Sequence, residues 1–167
     1  MTSEQPAGGI TDIVRQLEVQ LARVPLVFAD RSDEELSHHS APDEWCAKQV
    51  IGHLIEAEEE VFTALIPGML GRDASDKWRN VPSMVREECG ADADALLARW
   101  RELRGRGIAL ARSLTDDDLA RTSAHNWHGG PAETVGDLFR HWPFHTDAHE
   151  SQALEVLRAA PPPASST

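Results

Sequence analysis

Residues 135–158 read VGDLFRHWPFHTDAHESQALEVLR, and a series of mostly apolar side chains recurs along this segment every three or four residues. That spacing places the recurring side chains on one face of an α-helix, the face that packs against neighbouring helices. Two of these positions are His145 and His149, about one helical turn apart. The full series is Val135, Leu138, Trp142, His145, His149, Gln152 and Val156. The segment therefore predicts a helix that turns two histidines toward the protein interior.

Three earlier segments have the same periodicity. No segment alternates with the period of two that is typical of a strand, so the sequence predicts an all-α protein, most simply a four-helix bundle. The second helix is expected to run from about Asp43 to Met69. The three series are Ile10, Ile13, Val14, Leu17, Leu21, Val24 and Phe28; then Val50, Leu54, Ala57, Val61 and Leu65; then Leu96, Trp100, Leu103, Gly107, Leu110 and Leu114.

The connections between these helices differ in length. Two polar linkers begin with capping-box patterns, Ser32 with Glu35 and Thr115 with Asp118, and each runs to a tryptophan. Residues 71–90 form a long crossover between helices 2 and 3, and a connection of that length is often functional. We expect one domain over residues 9–159, a flexible N-terminus over residues 1–8 and a disordered tail over residues 160–167.

The composition excludes several classes of protein. The net charge of −12 disfavours nucleic acid as a partner, because neutralising phosphates requires clustered lysine and arginine. No apolar run is long enough to span a membrane, and the first residues do not resemble a secretory signal. Cys46 and Cys89 are far apart and lack a CxxC pattern, so we expect reduced thiols and a cytoplasmic location.

A third histidine shares the inward orientation of the pair in the last helix. His53 lies three residues after Val50, on the predicted inner face of helix 2. Burying three imidazoles is costly unless each nitrogen finds a partner, either a hydrogen bond in the core or a divalent metal ion. Imidazole nitrogen is a good ligand for zinc, nickel, copper and iron, and we favour a metal held by His53, His145 and His149. This interpretation requires helices 2 and 4 to be neighbours.

Other residues compete for a role at this site. His141 precedes His145 by one turn, and Pro143 between them is expected to kink or widen the helix, so His141 is either a rival ligand or a partner of the ligands. Glu56 and Glu60 follow His53 and could serve as a fourth ligand, a general base or an acceptor for an imidazole N–H, unless this acidic stretch is simply a solvated face.

The remaining candidates have weaker arguments. Cys46 is expected to be a small apolar filler. The histidines of the two linkers are expected to be exposed, and the tryptophans to pack in the core or at its rim. Three arginines could grip a carboxylated ligand. These groups are His38, His39, His125 and His128; Trp45, Trp78, Trp127 and Trp142; and Arg79, Arg121 and Arg140.

Three motifs together resemble the DinB-like superfamily of small bacterial proteins, which includes the bacillithiol- and mycothiol-linked transferases. EWCAKQVIGHLIEAEEEVF at residues 44–62 resembles the family's second helix, and GGPAETVGDLFRHW at residues 129–142 resembles the start of its fourth. HTDAHESQ at residues 145–152 resembles the pattern of two histidines and a glutamine with which the family's motif in the fourth helix ends. The resemblance covers residues 9–158; Pro143 departs from the pattern that we expect of that helix.

The resemblance implies a fold, a cofactor and a class of reaction. It implies a four-helix bundle with a long crossover, a zinc or nickel ion on His53, His145 and His149, and commonly a homodimer. The activity it suggests is the metal-dependent transfer of a low-molecular-weight thiol to a small electrophile. A related hydrolase or isomerase, or a non-catalytic metal-binding or scaffold protein, remains the alternative, because the fold does not decide the activity.

Overall fold

Four long helices build the protein, as the periodicity predicts. The computed structural model describes residues 9–72, 88–122 and 133–161, and within these ranges it contains no strand. Besides the long helices, these ranges contain three single-turn helices and two short turns of other helical types. The elements are α1 (Ile10–Phe28), α2 (Asp33–Leu36), α3 (Ala47–Glu60), a π-helical turn (Val61–Leu65), α4 (Ile66–Met69), a 3₁₀ turn (Glu88–Gly90), α5 (Ala93–Arg112), α6 (Asp116–Leu119) and α7 (Val135–Ala159).

The second long helix begins later than expected and does not run uniformly to Met69. It starts after Cys46 rather than near Asp43. The backbone N–H of Cys46 donates to the Gln49 side chain at this start. The helix then widens into the π-helical turn before α4 continues it. Phe62 in that turn lies against Gly107 of α5, where an added Cβ would come within 2.6 Å of the phenyl ring. A glycine at that position of the predicted α5 face therefore permits close helix packing.

Capping boxes with a serine or threonine at the N-cap start three of the helices in the described residues. The two predicted boxes are confirmed, because Ser32 with Glu35 begins α2 and Thr115 with Asp118 begins α6. A third box, which the sequence reasoning missed, begins α7: Asp137 accepts from the backbone N–H of Thr134 at 3.0 Å, and its own N–H donates to the threonine hydroxyl. The helix then continues through Pro143 to Ala159.

The long helices are arranged so that α3 and α7 are neighbours. Helix α1 packs against α5 and α7, and α3 packs against the same two helices. Around the bundle the order is therefore α1, α5, α3, α7. The neighbour relation that the histidine interpretation requires is present.

A polar layer divides the apolar core into two parts. One apolar cluster includes Leu17, Ile66 and Phe139, and the other includes Leu54, Trp100 and Leu157. This layer consists of four buried polar side chains, one from each long helix, in which Arg104 donates hydrogen bonds to the other three. They are Gln20, Glu58, Arg104 and Thr146. The histidines of α7 flank Thr146, so the predicted site lies at the level of this layer.

The expectation of two free thiols is wrong in this structure. Cys46 and Cys89 form a disulfide across 43 residues of sequence, with their Cα atoms 6.6 Å apart. The two cysteines meet because the 3₁₀ turn at Glu88–Gly90 packs against α3. Sequence separation says nothing about such proximity, which depends on where the crossover ends.

Some predictions fall on parts of the chain outside the described residues. These are the flexible N-terminus, the tail beyond residue 161, most of the crossover, and the residues Trp78, Arg79, His125, Trp127 and His128. Among the described residues, no helix is both long enough and apolar enough to cross a membrane.

Candidate metal centre

Three imidazoles from two neighbouring helices converge at one place. Each of His53, His145 and His149 offers a potential ligand atom, and these atoms all lie within 4.8 Å of one another. The Nε2 atoms of His53 and His145 are 3.3 Å apart. Two nitrogens bound to one zinc ion at the usual bond length in a tetrahedral arrangement lie about 3.3 Å apart. The geometry of the donor set therefore fits a divalent ion.

The helices determine how the rings meet. His145 and His149 stand one turn apart on α7, and their ring centroids are 4.6 Å apart. The ring of His53 comes from α3 and lies 4.3 Å from His149 and 5.3 Å from His145, centroid to centroid. Since α3 and α7 pack directly against each other, the inward faces of both helices bring the three rings together.

The hydrogen bonds of these rings do not match those of ordinary core histidines. The Nδ1 atom of His145 is buried and has no hydrogen-bond partner among the described residues. The Nε2 atom of His53 lies against the Nε2 atom of His145, another imidazole. A core histidine retained for hydrogen bonding is expected to have its buried nitrogens satisfied. The approach of the two Nε2 atoms to each other is what a shared ion would explain, whereas ordinary core histidines would direct these atoms at separate hydrogen-bond partners.

Burial keeps two of the three imidazoles neutral. Desolvation, and secondarily the charge of His149, lowers the pKa of His53 to about 4. Desolvation is also the largest cause that lowers the pKa of His145 to about 3, followed by His149 and His53. A neutral imidazole has the free lone pair that a metal ligand requires. Both rings are therefore ready to coordinate at neutral pH without first losing a proton.

Acidification is expected to destabilise the metal-free protein through these two rings. In the unfolded chain both histidines titrate near pH 6.5, whereas in the folded chain they stay neutral down to about pH 4 and 3. Between these values the unfolded state binds more protons than the folded state. The free energy of unfolding therefore decreases as the pH falls from 6.5 toward 4. Chemical denaturation at pH 7 and pH 5, with a chelator present to keep the protein free of metal, measures the decrease.

A double variant isolates this contribution. His53→Gln with His145→Gln should lose less stability than the wild type between pH 7 and pH 5, and His141→Gln, at an exposed position, should lose as much as the wild type. An identical pH dependence of the double variant and the wild type would show that the two rings are not held neutral by the fold.

Neighbouring side chains orient the triad and cover it. The Nδ1 atom of His149 lies 2.9 Å from the amide oxygen of Gln152, which only accepts, so Nδ1 donates and Nε2 keeps its lone pair. The indole of Trp45 stacks on His149 at 6.2 Å and lies 5.1 Å from His53. Trp142 stacks on His145 at 5.1 Å. The two tryptophans thus shield faces of the imidazoles from water.

The rival ligand and the acidic candidates lie outside the group of three. His141 is exposed, although it is one turn from His145. Glu56 and Glu60 are half-buried and are not part of the convergent group. Burial, followed by the charge of Glu56, raises the pKa of Glu60. Neither carboxylate is therefore placed as a ligand of an ion among the three rings.

The described arginine candidates have local partners. Arg121 donates to the carbonyl oxygen of Leu70 at 3.0 Å, and Arg140 pairs with Asp137 at the start of α7. Neither contact points to a role in binding a ligand at the triad.

A charged pair that the sequence does not predict lies beside the site. Glu58 and Arg104 are fully buried, and the Nε atom of Arg104 donates to Glu58 at 2.8 Å. Arg104 also donates to Thr146, which follows His145. One signal was available, because Glu58 falls one residue after Ala57 and four residues after Leu54, next to the inner face of α3.

A second group of potential ligands contains sulfur. His39, Cys46 and Cys89 lie close enough for their ligand atoms to meet. In this structure the two sulfurs are joined to each other, so neither is the thiolate that a metal would need.

Comparisons with known proteins agree with the predicted architecture. The model of a family described as the DinB superfamily matches residues 16–153. A solved structure described as "YfiT from Bacillus subtilis is a probable metal-dependent hydrolase with an unusual four-helix bundle topology" superposes with a TM-score of 0.73. The two sequences are 22% identical, and the match covers 95% of this chain and 89% of the other. No curated protein matches this chain.

Proposed function

The chain belongs to the DinB superfamily, and we propose that it binds one divalent metal ion through His53, His145 and His149 and uses it to transfer a low-molecular-weight thiol to a small electrophile. The observation that carries the metal proposal is the approach of the two Nε2 atoms from α3 and α7 to 3.3 Å. Zinc and nickel are the ions we expect, because both accept neutral imidazole ligands.

Three protein ligands leave a coordination position for a small molecule. A divalent ion held there would act as a Lewis acid that lowers the pKa of a thiol or a water and so makes it nucleophilic near neutral pH. The transferase proposal is supported by the resemblance of the three motifs to families that include bacillithiol- and mycothiol-linked enzymes. The transferred thiol would form a carbon–sulfur bond with the electrophile as the leaving group departs.

The residues around the triad have separate roles in this proposal. Gln152 keeps the His149 ring in the tautomer whose Nε2 lone pair is free. Trp45 and Trp142 keep bulk water from the imidazole faces, which strengthens electrostatic interactions in the site. Of the two acidic residues that the sequence offers as candidates, Glu56 lies one turn from His53 and Glu60 lies two turns away. Glu56 is therefore the better placed to receive a proton from an incoming thiol.

Metal-dependent hydrolysis is the second candidate function. YfiT from Bacillus subtilis, whose solved structure has the same fold, is called a probable metal-dependent hydrolase. A three-histidine site with an open position can activate water as well as a thiol. The same residues would then serve a different nucleophile.

One experiment compares the two activities on the same preparation. Metal-free protein is reloaded with Zn²⁺ or Ni²⁺ and mixed with bacillithiol, mycothiol, glutathione or cysteine and the electrophile monochlorobimane, and separately with p-nitrophenyl acetate without thiol. We expect metal-dependent conjugation of one thiol, lost in His53→Ala and kept in His141→Ala. Ester hydrolysis without conjugation would favour the hydrolase, and stoichiometric metal with neither reaction would favour a non-catalytic metal protein.

The possible assembly is tested separately. The resemblance suggests a homodimer, and sedimentation of the metal-loaded protein at several concentrations would measure its mass. A monomer at all concentrations would contradict that part of the proposal without affecting the metal site.

A further inference from the structure

The disulfide connects the start of a functional helix to the end of the crossover. Cys46 immediately precedes α3, the helix that carries His53, and Cys89 lies in the 3₁₀ turn before α5. Cys46 has no exposed surface, whereas Cys89 is partly exposed. A reagent from solution therefore reaches the Cys89 side of the bond first.

His39 presents an unprotonated nitrogen to the accessible sulfur. Its Nδ1 atom lies 2.7 Å from the carbonyl oxygen of Glu44, and because a carbonyl only accepts, Nδ1 carries the proton of the neutral ring. The Nε2 atom then has a free lone pair, and it lies 3.3 Å from the Sγ atom of Cys89. The ring is exposed, so it can exchange protons with water.

Other hydrogen bonds hold the two cysteines in place. The carbonyl oxygen of Cys89 accepts from the hydroxyl of Ser37 at 3.2 Å and from the buried ammonium of Lys48 at 3.4 Å. The backbone N–H of Cys46 donates to Gln49 at 2.9 Å. None of these bonds involves a sulfur atom. The two sulfurs are thus expected to remain close when the bond between them is broken, which allows it to form again.

We propose that Cys46–Cys89 is a redox-active disulfide that exchanges with low-molecular-weight thiols at the sulfur of Cys89. His39 Nε2 takes the proton of the incoming thiol, whose sulfur attacks Cys89. The Cys46–Cys89 bond breaks, Cys46 leaves as a thiolate that acquires a proton, and a mixed disulfide remains on Cys89. A second thiol attacks the mixed disulfide and releases Cys89 as a thiol. Two small thiols are oxidised to their disulfide, and the protein disulfide is reduced to two thiols.

The position of Cys46 suits a leaving group. Its sulfur lies at the N-terminal end of a 14-residue helix, where the helix dipole stabilises negative charge. Negative charge stabilised on the departing sulfur favours its departure in thiol–disulfide exchange. Cys89 is the attacked sulfur and Cys46 the resolving sulfur, because accessibility and leaving ability favour the same direction.

This exchange site is separate from the three histidines. It needs no metal, so chelation should leave the exchange reaction intact while it abolishes the proposed thiol transfer. Failure of either proposal therefore leaves the other testable. The two sites are nevertheless adjacent, since Trp45 precedes Cys46 in the chain and packs on His53 and His149.

Single-cysteine variants test which sulfur reacts. Cys46→Ser and Cys89→Ser are incubated with glutathione disulfide in the full-length protein, and the attached glutathione is counted by mass spectrometry over time. We expect Cys46→Ser to take up one glutathione on Cys89. We expect Cys89→Ser to react at least about tenfold more slowly, because reagents have poor access to the buried thiol of Cys46. In wild type treated with glutathione and quenched with acid, the mixed disulfide should be found on Cys89.

The histidine has its own matched control. His39→Ala in the Cys46→Ser background should slow glutathione uptake about tenfold through loss of the proton acceptor, and His38→Ala in the same background should not slow it. Equal rates of glutathione uptake by all variants in urea would show that their thiols have the same intrinsic reactivity. Unchanged circular dichroism in buffer would show that the variants are folded like the parent protein. Equal rates for the two single-cysteine variants in buffer, or a wild-type disulfide that resists millimolar glutathione, would overturn the proposal.

Discussion

The His149→Ala variant is expected to bind metal more than about a hundredfold more weakly than the wild type while remaining helical. Removing even a residue that only supports a ligand typically costs about 10- to 100-fold in metal affinity, and a ligand itself should cost more. The fold should survive because His149 is half-buried and the apolar residues of both core clusters stay in place. Competition with a chromophoric chelator measures the affinity, and circular dichroism measures the helix content.

His141→Ala is the matched control for this experiment. His141 lies on the same helix one turn before His145, but it is exposed and outside the convergent group. Its replacement should leave the affinity within about threefold of the wild type, as expected for a residue that touches neither ion nor ligand. Stoichiometric metal in His149→Ala would refute the ligand assignment. Loss of metal in His141→Ala alone would mean that the ligands are shifted by one helical turn.

The helices and the inward orientation of the three histidines of the candidate site could be predicted because both depend on the same periodicity. A residue that recurs every three or four positions faces the core, and this property is local enough to be read from single segments. His145 and His149 were placed inward by their membership in the α7 series, and His53 by its distance from Val50. The structure brings these three rings together. What periodicity could not supply was the packing order of the helices, which makes α3 and α7 neighbours.

The features that were missed depend on distant parts of the chain. Glu58 stands among four acidic residues of α3 and resembles a member of a solvated face, yet it is buried because Arg104 approaches from α5. The pairing of Cys46 with Cys89 depends on where a long crossover returns to the bundle. Such contacts arise from tertiary packing, and neither partner carries a local signal of the other.

Local signals were also insufficient for helix boundaries. The sequence predicts a start of α3 near Asp43, but residues 41–44 form a turn, in which the backbone N–H of Glu44 donates to the carbonyl oxygen of Ala41, and the helix begins only after Cys46. Capping was more informative, since the Ser32 and Thr115 patterns marked the starts of α2 and α6 correctly. The same pattern at Thr134 with Asp137 would have located the start of α7.

Replacing Arg104 with methionine is expected to lower the free energy of unfolding by about 3–5 kcal/mol, the usual cost of removing one partner from a buried ion pair. The guanidinium has no exposed surface and donates to Glu58, to Gln20 at 2.9 Å and to Thr146 at 2.7 Å. Its loss would leave the buried Glu58 carboxylate without its cationic partner, although the indole N–H of Trp100 still donates to it at 2.8 Å. Chemical denaturation of the metal-free protein measures the change.

Arg106→Met controls for the loss of an arginine from the same helix. Arg106 is exposed and pairs with Glu102 on the surface, so its replacement should change the free energy of unfolding by less than about 1 kcal/mol. Adding Glu58→Gln to Arg104→Met should recover part of the lost stability, because the uncompensated charge is then removed. If Arg104→Met costs no more than Arg106→Met, the polar layer does not stabilise the bundle. A stable Arg104→Met variant with weakened metal binding would instead indicate that Arg104 acts through Thr146 to position His145.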